Sequence, residues 1–165
     1  MKPDAVTIVM PTWNAGPLLD EVFDAIEGQD TTRPRRIVAI DSGSTDGTIE
    51  RLRRRGAHLL HVEPGRFDHG ATRNEALSHA DTPFAVLLVQ DAVPASPQWL
   101  EALLHPLIES PGVAGSVARQ LPAPGASRLA AHQLASWVAA QSGARISGPF
   151  TRGELERMPP AERHR

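Results

Sequence analysis

The chain has 165 residues, of which 41% are hydrophobic, so it can bury one globular core but is short for two. Its net charge of −2 argues against a nucleic-acid groove, which needs a basic excess. The absence of cysteine excludes disulfides, thiolate metal sites and cysteine nucleophiles. No apolar run is long enough to cross a bilayer, and the N-terminus makes a poor signal peptide. We therefore expect a cytoplasmic protein, and a peripheral position at the inner face of the membrane stays open.

Short apolar runs alternate with amphipathic stretches over the first 118 residues. The apolar runs predict strands at 5–10, 36–41, 57–63, 84–89 and 112–118. The amphipathic stretches predict helices at 16–29, 45–56, 69–80 and 96–110. This alternation is typical of an α/β fold with a mostly parallel sheet and helices on both faces.

Three segments carry more specific expectations. The run at 84–89 is long and apolar, so we expect a central strand that is covered on both faces. Pro106 lies inside its helix and predicts a kink or a break. After a Pro/Gly loop, one more helix is predicted at 128–141, whereas 143–165 is polar and weakly periodic. We therefore divide the chain into an α/β domain at 1–120 and a loop, a helix and a weakly ordered end at 121–165.

Polar and glycine-rich segments follow each of the first four predicted strands. In an open parallel sheet, ligands bind outside the carboxyl ends of the strands, so these segments are expected to form one site. When it is considered alone, the segment at 41–48, DSGSTDGT, is more typical of a well-capped turn than of a binding site. Asp41 differs from the rest of it, because it directly follows the strand and capping needs only the later residues. The other three segments are PTWN (11–14), EPGRFDHGATRN (63–74) and QDA (90–92).

Arginines in two helices have different interpretations. Arg73 lies early in its helix, where the helix dipole prefers anions, so it is either a solvated residue or a contact for an anion or a base. The run RLRRR at 51–55 ends its helix, where cations are favoured, and we interpret it as a solvated helix end rather than a phosphate site. The chain has neither a P-loop nor a dinucleotide-binding glycine motif, nor the nucleophile elbow of α/β-hydrolases.

Four segments in order, VTIVMPTWN, IVAIDSGSTDGT, GATRNEAL and LLVQDAVP, resemble the motifs of family 2 glycosyltransferases. The resemblance covers roughly the first 120 residues and is greatest to the rhamnosyltransferase-like branch. It implies a Rossmann-like glycosyltransferase A-type fold, with 1–120 as the nucleotide-sugar-binding domain. Family members carry further sequence beyond this region, so the resemblance implies that the C-terminal part of the fold is missing here.

The resemblance also assigns roles to individual residues. Asp41 would accept a hydrogen bond from the nucleotide base, and Asp91 would hold magnesium or manganese on the donor diphosphate. Val89 stands where the family usually has the first aspartate of its D-x-D motif, so one carboxylate would hold the metal, together with substrate phosphates and waters. The residues expected to bind the donor are Pro11, Thr12, Asn14, Asp41, Asp46, Arg73 and Gln90.

The activity implied by the resemblance is inverting transfer of a sugar, with rhamnose as one candidate, from a dTDP- or UDP-linked donor to the hydroxyl of a saccharide or lipid-linked acceptor. The catalytic base stays unknown, because the carboxylates Glu101, Glu109, Glu154 and Glu156 lie in no matching motif. The alternative is a module that binds a nucleotide sugar or docks on a partner without catalysing transfer. A distant third hypothesis, a phosphatase-like hydrolase built on Asp41, lacks the second aspartate, because Gly43 occupies its position. A homo-oligomer is expected if a missing half leaves apolar surface exposed.

Overall fold

A computed structural model describes residues 4–63 and 65–142 of the chain. Within them, four strands alternate with helices in the order expected from the sequence. The chain divides into two compact units, Met1–Leu100 and Glu101–Arg165. The domain boundary after residue 120 stays a prediction. The elements are β1 (Val6–Thr12), α1 (Leu18–Glu27), β2 (Arg35–Asp41), α2 (Thr48–Arg54), β3 (His58–His61), α3 (His69–Ser78), β4 (Phe84–Leu87), α4 (Trp99–Glu109) and α5 (Arg128–Ser142).

The four strands form one parallel sheet in the order β3-β2-β1-β4, so the predicted α/β class with a parallel sheet is confirmed. The chain moves outward through α1 and α2, and α3 then returns it to the other side of β1. Because such crossovers are right-handed, α3 lies on the opposite face of the sheet from α1 and α2. On the α3 face the core contains Val9, Val38, Ile40 and Ala76. The side chains that α1 buries are Leu19, Val22, Phe23 and Ile26.

Helices α1 and α2 are joined by ion pairs, and these use arginines of the 51–55 run. Arg51 pairs with Asp20 at 3.1 Å. Arg55 reaches Asp24 at 2.5 Å and Glu27 at 3.1 Å, and the hydrogen bond that it donates to Asp24 raises the pKa of Arg55. These contacts support the interpretation that the arginine run is no phosphate site. The helix ends at Arg54, and the predicted terminator Gly56 follows its cap with a positive φ of 69°, which is strained for other residues.

The prediction of a central strand at 84–89 is wrong for the part of the chain that the structure describes. β4 is shorter, Phe84–Leu87, and lies at the edge of the sheet. Its Val86 is buried, whereas Ala85 and Leu87 on the other face are exposed. The long apolar run therefore forms an edge strand with one face buried in the core and the other face exposed.

In the second unit, α5 lies where the sequence predicts it, but the predicted strand at 112–118 is absent from the described residues. Val117 in this segment is 91% exposed, because no neighbouring strand pairs with it. α4 begins at Trp99, later than predicted, after a turn in which the N–H of Trp99 donates to the carbonyl of Ser96. The helix runs through Pro106 to Glu109, so the alternative of a break there is wrong. The predicted weakly ordered end, 143–165, lies outside the described residues.

Candidate functional site

The ends of β1, β2 and β4 lie together at one edge of the sheet, which we call the carboxyl edge. Here the β1–α1 loop (13–17) and the β2–α2 loop (42–47) meet the first residues of the β4–α4 loop (88–98), whose far end contacts Gln29 and Asp30 after α1. From β1 the chain continues through α1 to β2 on one side of β1, and it later returns through α3 to β4 on the other side. The direction in which strands are added therefore reverses between β1 and β4. A reversal of this kind opens a crevice, which is where open α/β sheets bind ligands.

Asp41, the last residue of β2, is fully buried and accepts hydrogen bonds on both oxygens. Its Oδ1 accepts from the backbone N–H groups of Gly43 at 3.0 Å and Ser44 at 2.8 Å. Its Oδ2 accepts from the hydroxyls of Thr12 at 2.9 Å and Ser44 at 2.5 Å. The carboxylate therefore shapes the turn after β2 and joins β2 to β1. A buried carboxylate so fully engaged is no free nucleophile, which argues against the phosphatase-like hypothesis.

Asn14 connects the β1–α1 loop to the β2–α2 loop. Its backbone N–H donates to the hydroxyl of Ser44 at 2.8 Å, and its Oδ1 accepts from the N–H of Thr45 at 2.9 Å. Its φ of 46° is in the left-handed region, which asparagine tolerates better than most residues because its short amide bonds locally. The two predicted donor-binding residues Asn14 and Asp41 are thus brought together through Ser44.

Asp46 makes the second connection between the same two loops. Its Oδ2 accepts from the N–H of Gly16 at 2.9 Å, and its Oδ1 accepts from the hydroxyl of Thr48 at 2.6 Å. The hydrogen bond from the Thr48 side chain is the main reason that the pKa of Asp46 is lowered. The hydroxyl of Thr48 in turn accepts from the N–H of Ala15 at 2.9 Å. Gly47, with a φ of 87°, precedes α2 and allows this tight turn.

Gln90 spans the crevice between β4 and β1. Its Oε1 accepts from the backbone N–H of Trp13 at 2.7 Å, and its Nε2 donates to the carbonyl of Trp13 at 3.0 Å. Asp91 follows it in a turn and is exposed. Trp13 itself was not singled out from the sequence, and its side chain is 62% exposed at the crevice edge. A large aromatic directly after a strand end is the signal that could have identified it.

Arg73 lies on the first turns of α3, beyond the carboxyl end of β3. Its Nη1 donates to the carbonyl of His69 at 3.0 Å, and the side chain is half-buried. The helix is capped by Asp68, whose carboxylate accepts from the N–H groups of Gly70 at 2.9 Å and Ala71 at 2.7 Å. These hydrogen bonds lower the pKa of Asp68, and the bond from the N–H of Ala71 has the largest effect. The structure gives Arg73 a backbone contact within its own helix, and a role for it in donor binding stays a prediction.

A divalent cation at this edge would depend on Asp91. Across residues 4–63 and 65–142, no three His, Asp or Glu side chains cluster closely enough to hold a metal ion by themselves. An exposed carboxylate at the crevice nevertheless fits a magnesium or manganese ion that takes its other ligands from substrate phosphates and water. In the same described residues, no helix has the length and apolarity required to span a membrane.

Two solved structures have a similar fold. The structure of TarS from S. aureus, residues 1–349, superposes with a TM-score of 0.56 over 70% of this chain and 38% of that one, at 22% identity. Glucosyl-3-phosphoglycerate synthase from M. tuberculosis gives a TM-score of 0.52 over 63% of this chain and 41% of that one, at 23% identity. These similarities confirm the fold expected from the sequence, the glycosyltransferase A-type.

Comparisons of the sequence identify rhamnosyltransferases as relatives and also identify the family. The O-antigen chain rhamnosyltransferase WbaN of Salmonella anatum is 38% identical over 76% of this chain, and RfbN of Salmonella typhimurium is 35% identical over 77%. The chain spans 40% of the length of each of these relatives. The model of the family described as "Glycosyl transferase family 2" matches residues 7–152. Because this match covers most of the chain, the protein belongs to glycosyl transferase family 2.

Proposed function

We propose that the chain is the nucleotide-sugar-binding part of a glycosyltransferase that transfers a sugar, with inversion, from a nucleoside diphosphate to a hydroxyl acceptor. The observation that carries this proposal is the carboxyl edge, where two interlocked loops are joined through Trp13 and Gln90 to the turn that contains the exposed Asp91. Rhamnose and a saccharide acceptor are favoured because relatives at 38% and 35% identity are O-antigen chain rhamnosyltransferases. TarS, which is similar in fold alone, has been solved with UDP and with UDP-GlcNAc.

The nucleoside would bind against the β1–α1 and β2–α2 loops. The exposed indole of Trp13 offers a face on which a base can stack, and Asn14 is exposed beside it. A direct hydrogen bond from the base to Asp41 requires that one of the present donors moves away, because each carboxylate oxygen already accepts two hydrogen bonds. The Ser44 hydroxyl can rotate away from Oδ2, and this would give a base N–H access to the carboxylate.

The diphosphate would lie between these loops and Asp91. In the transfer step the acceptor oxygen forms a bond to the anomeric carbon as the bond from that carbon to the diphosphate oxygen breaks. The nucleoside diphosphate leaves with the electron pair, and the hydroxyl proton passes to a base that stays unidentified. When bound at Asp91, magnesium or manganese would supply positive charge beside the diphosphate. The interlocked loops hold the nucleoside in place while the sugar reacts.

Thermal unfolding with dTDP, UDP and GDP, each with and without manganese, tests this proposal. A ligand that binds only the folded protein raises its melting temperature, so we expect dTDP or UDP to give a shift that manganese increases. Asp91→Ala should abolish the increase due to manganese and keep the metal-free shift. Asp30→Ala is the matched control, because Asp30 is an exposed aspartate between α1 and β2, and alanine retains the backbone N–H that Asp30 donates to the carbonyl of Pro97 at 2.8 Å.

The outcomes separate the alternatives. No shift with any of the nucleotides would contradict both the transferase and the simple binding module. A shift without release of nucleoside diphosphate from a nucleotide sugar supports the alternative that this chain binds the donor without transferring it. A manganese effect that survives in Asp91→Ala would show that the cation is held elsewhere.

A further inference from the structure

The crevice between β1 and β4 is bridged by a side chain rather than by backbone. The last backbone hydrogen bond between the two strands runs from the N–H of Leu88 to the carbonyl of Val9 at 3.0 Å. Successive residues of a strand present their N–H and C=O groups to opposite neighbours, so the next residue of β1 that faces β4 is Pro11, and Trp13 follows on the same side just beyond the strand. Pro11 has no N–H to donate, and the ladder stops there.

At Trp13 the pairing resumes through the amide of Gln90. The two hydrogen bonds, 2.7 Å from the Trp13 N–H and 3.0 Å to its carbonyl, use one acceptor and one donor of the same side chain. The amide thus takes the place of a peptide group of β4. Only a glutamine side chain has both this reach and this pairing, because asparagine is one carbon shorter and glutamate lacks the donor at neutral pH.

We propose that Gln90 is a positioning residue, which clamps the end of β4 to Trp13 and thereby sets the distance between the exposed carboxylate of Asp91 and the interlocked loops. This inference rests on the proposed function, since it concerns where the metal-bound diphosphate lies relative to the nucleoside. It differs from the sequence prediction that Gln90 binds the donor, because the amide acts on the donor through Asp91. Asp91, the covalent neighbour of Gln90, lies in a turn in which the N–H of Ala92 donates to the carbonyl of Val89 at 3.1 Å, so the amide of Gln90 ties this turn to Trp13.

Gln90→Met tests the clamp itself, because it retains the length of the side chain and removes both hydrogen bonds. We expect the amide of Trp13 to exchange its hydrogen at least about tenfold faster in this variant, as measured by NMR. Gln98→Glu and Gln98→Met are controls at an exposed glutamine of the same unit, and they should leave the exchange unchanged. Equal exchange of the Trp13 amide in the wild type and in Gln90→Met would overturn the clamp.

The role is tested by affinity for dTDP or UDP, whichever the wild type binds, with and without manganese. Gln90→Met and Gln90→Glu should weaken the manganese-dependent affinity about tenfold and change the metal-free affinity less than about twofold. In an Asp91→Ala background the same substitutions should have no further effect, because the clamp acts through that carboxylate. A purely structural role would instead weaken both affinities together.

Two failures are distinguishable. If the wild type binds neither nucleotide with or without manganese, the proposed function fails, and the positioning role fails with it. If the wild type binds and Gln90→Met retains the full manganese-dependent affinity, the proposed function stands and the positioning role is overturned. An additive effect of Gln90→Met and Asp91→Ala would also overturn it.

Discussion

Asp41 shows how one residue can hold a site together before any ligand binds. Its carboxylate receives two backbone N–H groups from its own turn and two hydroxyls, one of which comes from Thr12 on the neighbouring strand. The sequence marks Asp41 as a carboxylate at a strand end. It does not show that the same side chain caps the turn, or that its partner lies 29 positions away. Contacts between strands depend on the register of the sheet, which no local pattern contains.

Replacing Asp41 should therefore destabilise the fold as well as the site. Asp41→Ala removes a buried carboxylate and leaves the N–H groups of Gly43 and Ser44 and the buried hydroxyl of Thr12 without their acceptor, so we expect the free energy of unfolding to fall by roughly 3 kcal/mol. Asp41→Asn should cost less, about 1 kcal/mol, because its oxygen can still accept from both N–H groups while the hydroxyls rotate. Urea unfolding measures both variants. Asp30→Ala is the control, and an Asp41→Ala variant as stable as this control would contradict the role.

At the scale of elements, the sequence predicts the order and type of the strands and helices of the sheet well. Their apolar spacing reflects a core that each element enters by itself, as α1 does with its buried stripe. Predictions that depend on a neighbour fail more often. The run at 84–89 becomes an edge strand and the segment at 112–118 forms no strand in the described residues, because both need a partner strand that pairs with them. An apolar run indicates burial, but it does not say which elements provide it.

The cap of α3 gives a prediction on pH at this scale. The pKa of Asp68 is lowered in the folded protein because Ala71 and Gly70 donate backbone N–H groups to the charged carboxylate. A lowered folded pKa stabilises the protein above the unfolded pKa of about 3.9, and this contribution is lost as pH falls through the folded value. Asp68→Ala should therefore be less stable than the wild type at pH 7, and the difference should shrink below about pH 4.

Urea midpoints of the wild type and Asp68→Ala, recorded from pH 7 down to pH 3, check this prediction. Asp30→Ala controls for the loss of one negative charge at an exposed site and should show no comparable convergence at low pH. A difference between wild type and Asp68→Ala that stays constant over the whole range would show that the cap acts without its charge.

At the scale of the whole molecule, family membership follows from four short segments taken together rather than from any one of them. They lie at the ends of three strands and at the start of α3, and the sheet brings three of them to one edge. The loops interlock through Asn14 and Asp46, and Gln90 closes the crevice from β4. Small polar residues that follow different strands of a parallel sheet can therefore belong to one site although they are far apart in the sequence, because the fold makes them neighbours.

The open face and edge of β4 lead to a prediction about association. Among the described residues, β4 pairs with β1 alone, and Leu87 is 52% exposed on the uncovered face. An unpaired strand edge beside exposed apolar side chains favours pairing with a second copy of the chain. We expect the weight-average mass to rise above 17.8 kDa with protein concentration in sedimentation equilibrium, and Leu87→Lys to hold it at the monomer value. Leu121→Lys, at another exposed leucine, is the control and should associate like the wild type. A wild type that stays monomeric at every concentration, or a Leu87→Lys variant that associates equally, would show that this edge does not mediate self-association.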